Sequence, residues 1–258
     1  MPKIRFTGYV LPRIFVFTAN NLAPVKWKDN GVTPLEMEFR ISIQTGIVDI
    51  VCDLNRNITE VELSTPLIRG LDIVKAIVDC LGFAKGLGLS VVLEKYYDAT
   101  GKESDIAFKN EPLARLFTAF DLNPANTGKN NFERMYRLVI GEPALFMALN
   151  ELVGSLYIPH QIPVNCGRAI EGIRKLFAPV GTPRDQEWKL MRENLRLTSS
   201  YIELITNESK SPRHGDRTFI PASVLDPILE RSWIIMNRFL EFRKRGNQPL
   251  PLSEFPEL

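Results

Sequence analysis

Leu35-Glu-Met-Glu-Phe-Arg-Ile-Ser-Ile43 alternates strictly. Leu35, Met37, Phe39, Ile41 and Ile43 fall on one side, and Glu36, Glu38, Arg40 and Ser42 on the other. A period of two with one apolar and one charged face is the pattern of a half-buried antiparallel strand. Gln44-Thr45-Gly46 follows as a turn, and Ile47-Val-Asp-Ile-Val-Cys-Asp53 returns as the second arm of a hairpin. Upstream, Lys3–Val10 alternates in the same way, Arg13–Phe17 is a denser apolar run read as a strand, and Glu60–Leu63 is a further short candidate. Downstream, Thr65-Pro66 is a helix start, with Leu67, Leu71, Val74, Ile77, Val78 and Leu81 recurring at helical spacing. Gly82, Gly86 and Gly88 end that helix, and Leu89–Tyr97 is a strand. Residues 1 to about 108 therefore read as a small antiparallel sheet with one packed helix, an α+β unit.

The period changes after the turn-rich stretch Asn123–Asn131, which reads as a linker. Apolar residues then recur every three or four positions in five segments: 131–140, 143–156, 163–177, 183 to about 209, and 221–245. These predict a helical bundle whose longest members are the last two. The expected organisation is an α+β domain over 1–125, an all-α bundle over 130–246, and a Pro-rich tail over 247–258. The tail reads as irregular, with Leu and Phe residues able to dock on the body.

Composition narrows the function class. The chain has 258 residues, 45% of them hydrophobic, and a formal net charge of +2, too small for strong nonspecific attraction to nucleic acid or membrane. Cys52, Cys80 and Cys166 are far apart and form no CxxC pair, which predicts reduced thiols rather than a disulfide framework or a zinc site. No cofactor and no metal are expected. The N-terminus lacks the apolar core of a signal peptide, and no apolar run approaches the roughly 18 residues of a membrane span. The expectation is a cytoplasmic protein with no membrane partner.

Three motifs carry possible chemistry. Gly82-Phe-Ala-Lys-Gly-Leu-Gly88 is glycine-rich, but it leaves a helix and enters a strand, the reverse of a phosphate loop, so it reads as a helix end. Arg168, Glu171 and Arg174 are three apart on one helix face. They read either as a solvated ion-pair row or as a polar ridge that grips a phosphate. Asn207-Glu-Ser-Lys-Ser-Pro-Arg-His-Gly-Asp216 holds one of the two histidines; the other, His160, reads as a loop residue. Two readings of this segment stand open. In one, His214 and Lys210 face the negative end of the preceding helix and Gly215 supplies a left-handed backbone. In the other, His214 moves a proton while Arg213 and Lys210 neutralise a phosphodiester.

Over residues 130–246 the chain resembles the HEPN superfamily (higher eukaryotes and prokaryotes nucleotide-binding). Cys166-Gly-Arg-Ala-Ile-Glu-Gly-Ile-Arg-Lys-Leu-Phe177 is similar to the early bundle helix of that family. Tyr201-Ile-Glu-Leu-Ile-Thr-Asn207, followed by Pro212-Arg-His-Gly215, resembles its helix ending in an Arg-polar-x-x-x-His motif. The resemblance implies a metal-independent ribonuclease acting as a dimer, with His214 as the histidine and Asn207 as the polar residue. The motif arginine is missing: positions 207–209, where its spacing places it, hold Asn, Glu and Ser. Arg213 is then the candidate replacement, and Arg168, Glu171 and Lys210 are candidates for binding substrate. The function so implied is an RNA-cleaving or RNA-binding effector, of a toxin or antiphage kind, that pairs as a homodimer through the helical half. The alternative is a non-catalytic dimeric interaction protein.

Overall fold

A computed structural model describes residues 2–14, 16–20, 22–29, 33–60, 62–106, 111–120, 131–213 and 222–258. The chain divides into two compact units, Met1–Ala107 and Phe108–Leu258.

The first unit is an antiparallel sheet of β1 (Lys3–Leu11), β2 (Val25–Asp29), β3 (Leu35–Gln44), β4 (Ile47–Leu54), β5 (Ser90–Tyr97) and β6 (Glu103–Asp105), in the order β2-β3-β4-β1-β5-β6. Alternation along β3 is realised as read: Leu35, Met37, Phe39, Ile41 and Ile43 are all buried. Helix α1 (Ser64–Lys85) packs against β3, β4 and β5, burying Leu71, Val74 and Val78. Gly70 lets it approach closely, because a Cβ there would already touch the Ile50 and Phe39 side chains at 3.4–3.6 Å. The glycines after it form a left-handed cap at Gly86, whose N–H donates to the carbonyls of Gly82 and Phe83.

The opposite face of the sheet is a cross-strand charge ladder. Lys28 pairs with Glu36 at 3.0 Å, Lys26 with Glu38 at 3.7 Å, and Arg5 with Asp49 at 2.6 Å. Arg40 and Lys3 share Asp53, and Lys95 bridges Glu103 and Asp105. Its cations are met by carboxylates of neighbouring strands, so the ladder holds register rather than presenting a free basic surface.

Two strand expectations fail in this unit. Residues 13–14 form a turn, not a strand, and Ile14 and Val16 are exposed. Pro12 carries no N–H to extend the ladder of β1, and the run that follows meets the sheet through Phe17 O, which accepts from Gly46 N–H at 3.0 Å. Glu60 and Leu63 lie in turns before α1, where the Glu62 carboxylate accepts from the Thr59 backbone and hydroxyl and from Arg56. Short β2 and β6 are additional; their residues are largely polar and exposed and carry little alternation.

The second unit is helical: α2 (Glu111–Arg115), α3 (Asn131–Gly141), α4 (Pro143–Gly154), α5 (Ile162–Lys175), α6 (Arg184–Leu195), α7 (Ser199–Glu208), α8 (Lys210–Arg213) and α9 (Ala222–Lys244). Helix α5 is central and packs against α4, α6, α7, α8 and α9. Ala169, Ile170 and Ile173 from α5 are fully buried, as are Met191, Leu195, Ile205, Ile235 and Phe239 around them.

The boundary expected at 125 falls earlier. Leu113, Ala119 and Phe120 are buried in the helical core, and the Asn237 amide oxygen accepts from the backbone N–H of Thr118 and Ala119 at 2.9 and 3.0 Å. The single helix expected over 183–209 is two. Arg196 takes a left-handed backbone at φ 57°, and Thr198 caps α7 by accepting from Tyr201 N–H. Arg238 of α9 holds the break: it donates to the carbonyls of Leu195 and Arg196, 2.8 Å each. The tail docks there too. Leu250 is fully buried, Leu258 exchanges backbone bonds with Arg196 and Thr198, and Arg238 also donates to Pro256 O at 2.8 Å.

Candidate functional site

Helix α5 was expected to carry a row of polar residues, and the structure gives each of them a partner on another helix. Arg168 faces Glu151 of α4 at 3.6 Å. Glu171 accepts from Arg184 at the start of α6 at 3.2 Å. Arg174 is buried, pairs with Glu187 of α6 at 3.0 Å, and lies 5.1 Å over the Trp188 ring. Their three-residue spacing does place them along one side of α5. The ion pairs run outward to α4 and α6, so the row ties the bundle together instead of forming an open ridge.

The other candidates lie at the end of α7 and in α8. Asn207 is exposed in the last turn of α7, and its amide oxygen accepts from Lys210 Nζ at 3.0 Å. Ser209 between them is fully buried, with its hydroxyl donating to Thr206 O. Helix α8 packs against α5 and α7. His214 itself lies outside the described residues, as do Gly215 and the Arg213 side chain. His160 is exposed in a 3-10 turn. Among the described residues no three His, Cys, Asp or Glu side chains gather in a way that holds a metal ion.

The thiols separate by environment. Cys80 is exposed on α1. Burial, with Asp53 adding to it, pushes the Cys52 thiol up to about 12. Burial pushes Cys166 up to about 11, against the hydrogen bonds of Ser232 and Ser155 and with Glu151 adding to the rise. Buried thiols of this kind carry almost no thiolate at neutral pH and are poor nucleophiles.

The feature that the sequence reading passed over is on α3. Phe132, Tyr136 and Ile140 are 69%, 53% and 59% exposed, at i, i+4 and i+8 along one face. Met135, Leu138 and Val139 on the same helix pack inward, so one broad apolar face of α3 is buried along one edge and exposed along the other. Helix α4, against which it packs, exposes Phe146, Met147 and Val153, and Tyr157 just beyond it is exposed as well. At about 100 Å² each, half or so of a large side chain of roughly 150–250 Å², these residues expose on the order of 600–700 Å². Behind them lies a half-open apolar cavity of about 280 Å³ lined by Met135, Leu149, Leu152, Trp233, Met236 and Leu240, among others.

No described helix is long and apolar enough to cross a membrane. No curated protein and no solved structure matches the chain. Both halves, in order, are similar to the two domains of one family: residues 4–106 match the N-terminal domain of a domain of unknown function (DUF8168), and residues 132–244 match its C-terminal domain.

Proposed function

We propose that this chain is a non-catalytic interaction protein whose helical unit binds a protein partner through the outer side of α3 and α4. The observation that carries the reading is the exposure of Phe132, Tyr136 and Ile140 in one line, extended by the apolar residues of α4. Large apolar side chains gathered on adjacent helices at this area mark protein interfaces rather than chance exposure. The polar groups a phosphodiester site would use each have a partner. Arg168 and Glu171 pair with Glu151 and Arg184, and Lys210 donates to Asn207. These contacts are largely exposed, so each is worth at most about 1 kcal/mol.

A HEPN-like ribonuclease is the second reading, favoured by the packing of α8 against α5. In that mechanism His214 promotes attack of an RNA 2′-hydroxyl on the adjacent phosphate, and Arg213 and Arg168 stabilise the charge that develops. The two readings separate in one assay. Purified wild-type protein and His214→Ala are incubated with several RNAs at pH 6 to 9. The interaction reading expects equal, background cleavage from both. Cleavage by the wild type that persists in EDTA and disappears in His214→Ala overturns it.

A further inference from the structure

We propose that the partner on the α3 face is a second copy of this chain, with the two α3 helices antiparallel across a twofold axis near Tyr136. This rests on the interaction reading above and adds the occupant and its register. From its N-terminus the outer face of α3 runs Phe132, Glu133, Tyr136, Arg137, Ile140: apolar, acidic, apolar, basic, apolar. Reversed, it runs apolar, basic, apolar, acidic, apolar. Laid antiparallel on itself, the face sets Phe132 against the partner's Ile140 and Tyr136 against the partner's Tyr136.

Charges complete the match. Glu133 and Arg137 are one turn apart on the same flank of the stripe, where Arg137 Nη2 lies 2.6 Å from Glu133 Oε1. In an antiparallel helix pair like flanks meet, so each Glu133 comes within reach of the partner's Arg137. In a parallel pair unlike flanks meet, so Glu133 and Arg137 would face the partner's other flank instead of each other. An unrelated partner needs no such reversal symmetry, whereas an isologous dimer requires it.

Cysteine cross-linking tests the register on the full-length chain with Cys80→Ser removing the exposed thiol. Tyr136→Cys stands on the axis and should link to itself under mild oxidation. Phe132→Cys alone should not, while a mixture of Phe132→Cys and Ile140→Cys chains should link. Charge exchange is the second test. Glu133→Arg or Arg137→Glu alone should raise the dimer dissociation constant at least tenfold, and the two together should restore it. Self-linking of Tyr136→Cys no better than that of Phe132→Cys, or a double variant no better than the singles, overturns the antiparallel register. A monomer at 100 μM overturns the second copy as occupant. Neither result touches the RNA assay, so failure of this inference is distinct from failure of the interaction reading.

Discussion

Replacing Arg238 with methionine should destabilise the helical unit by about 3–4 kcal/mol. Arg238 is 6% exposed and donates to three carbonyls, those of Leu195, Arg196 and Pro256, at 2.8 Å each. A hydrogen bond to a charged group is worth about 1.5–3 kcal/mol, and a buried carbonyl left without a donor costs about 1–3 kcal/mol. These figures do not add, because the tail can lift away and let water reach the freed carbonyls. Methionine also removes a charge whose burial is itself unfavourable, which returns part of the loss. Together these leave the loss at about twice the value of one charged bond. For a unit of this size about 1 kcal/mol corresponds to about 2–4 °C in Tm, so the expected shift is about 6–16 °C. Urea unfolding followed by circular dichroism measures the change, with the exposed Lys189→Met as a control expected within about 0.5 kcal/mol. Hydrogen exchange supplies the local readout. The Thr198 and Leu258 amides, which bond to Leu258 O and Arg196 O, should lose protection before the core of α5 does. A variant within about 1 kcal/mol of wild type, with those two amides still protected, would refute the role given to Arg238.

Three further outcomes follow from other sites. Ellman's reagent should titrate one thiol per native chain, Cys80, and all three in guanidinium, because Cys52 and Cys166 are buried with raised pKa values; more than one fast native thiol contradicts the packing. Gly8→Ala should cost at least the roughly 1–3 kcal/mol of an overpacked site, since its Cβ would lie 2.0 Å from Val92 O across β1 and β5; an unchanged urea midpoint would count against that crossing. The Glu62 carboxyl, hydrogen-bonded by Arg56 and by Thr59, should titrate at about 2 instead of the ordinary 4.5. Its stabilisation is therefore complete above about pH 4.5 and lost as pH falls through about 2. An NMR titration showing an ordinary midpoint, or no upward move in Arg56→Ala, would contradict the pairing.

The sheet was legible wherever a strand had one buried face, because period-two alternation reports burial directly. β1 and β3 were read this way, β4 as the return arm of the hairpin, β5 as the strand that follows the glycines, and α1 from its three- and four-residue spacing. Strands β2 and β6 escaped because they are short, exposed and charged, and depend on pairing with a neighbour rather than on an apolar face. The break between α6 and α7 left the apolar period almost in phase. Only the capping residues Thr198-Ser-Ser200 and the left-handed Arg196 mark it, and Arg196 is held by partners more than 40 positions away in sequence. For the candidate site the face of α5 was legible but its partners were not. Arg168, Glu171 and Arg174 share a helix side as their spacing requires, yet Glu151, Arg184 and Glu187 reach them only through tertiary packing. The outer stripe of α3 was present in the sequence, but a broad apolar face reads as wholly buried until its neighbours are placed.

The mass of the full-length chain in solution, measured by light scattering at micromolar concentration beside Tyr136→Asp, bears most directly on the claim that the α3 face is a binding surface. Wild type should show twice the 29.3 kDa of one chain. Tyr136→Asp, which places a charge at the centre of the exposed stripe, should show the mass of one chain with an unchanged circular dichroism spectrum. Wild-type protein still at 29.3 kDa at 100 μM would remove a second copy as the occupant of the α3 face, and a Tyr136→Asp variant that stays dimeric would contradict pairing through that face.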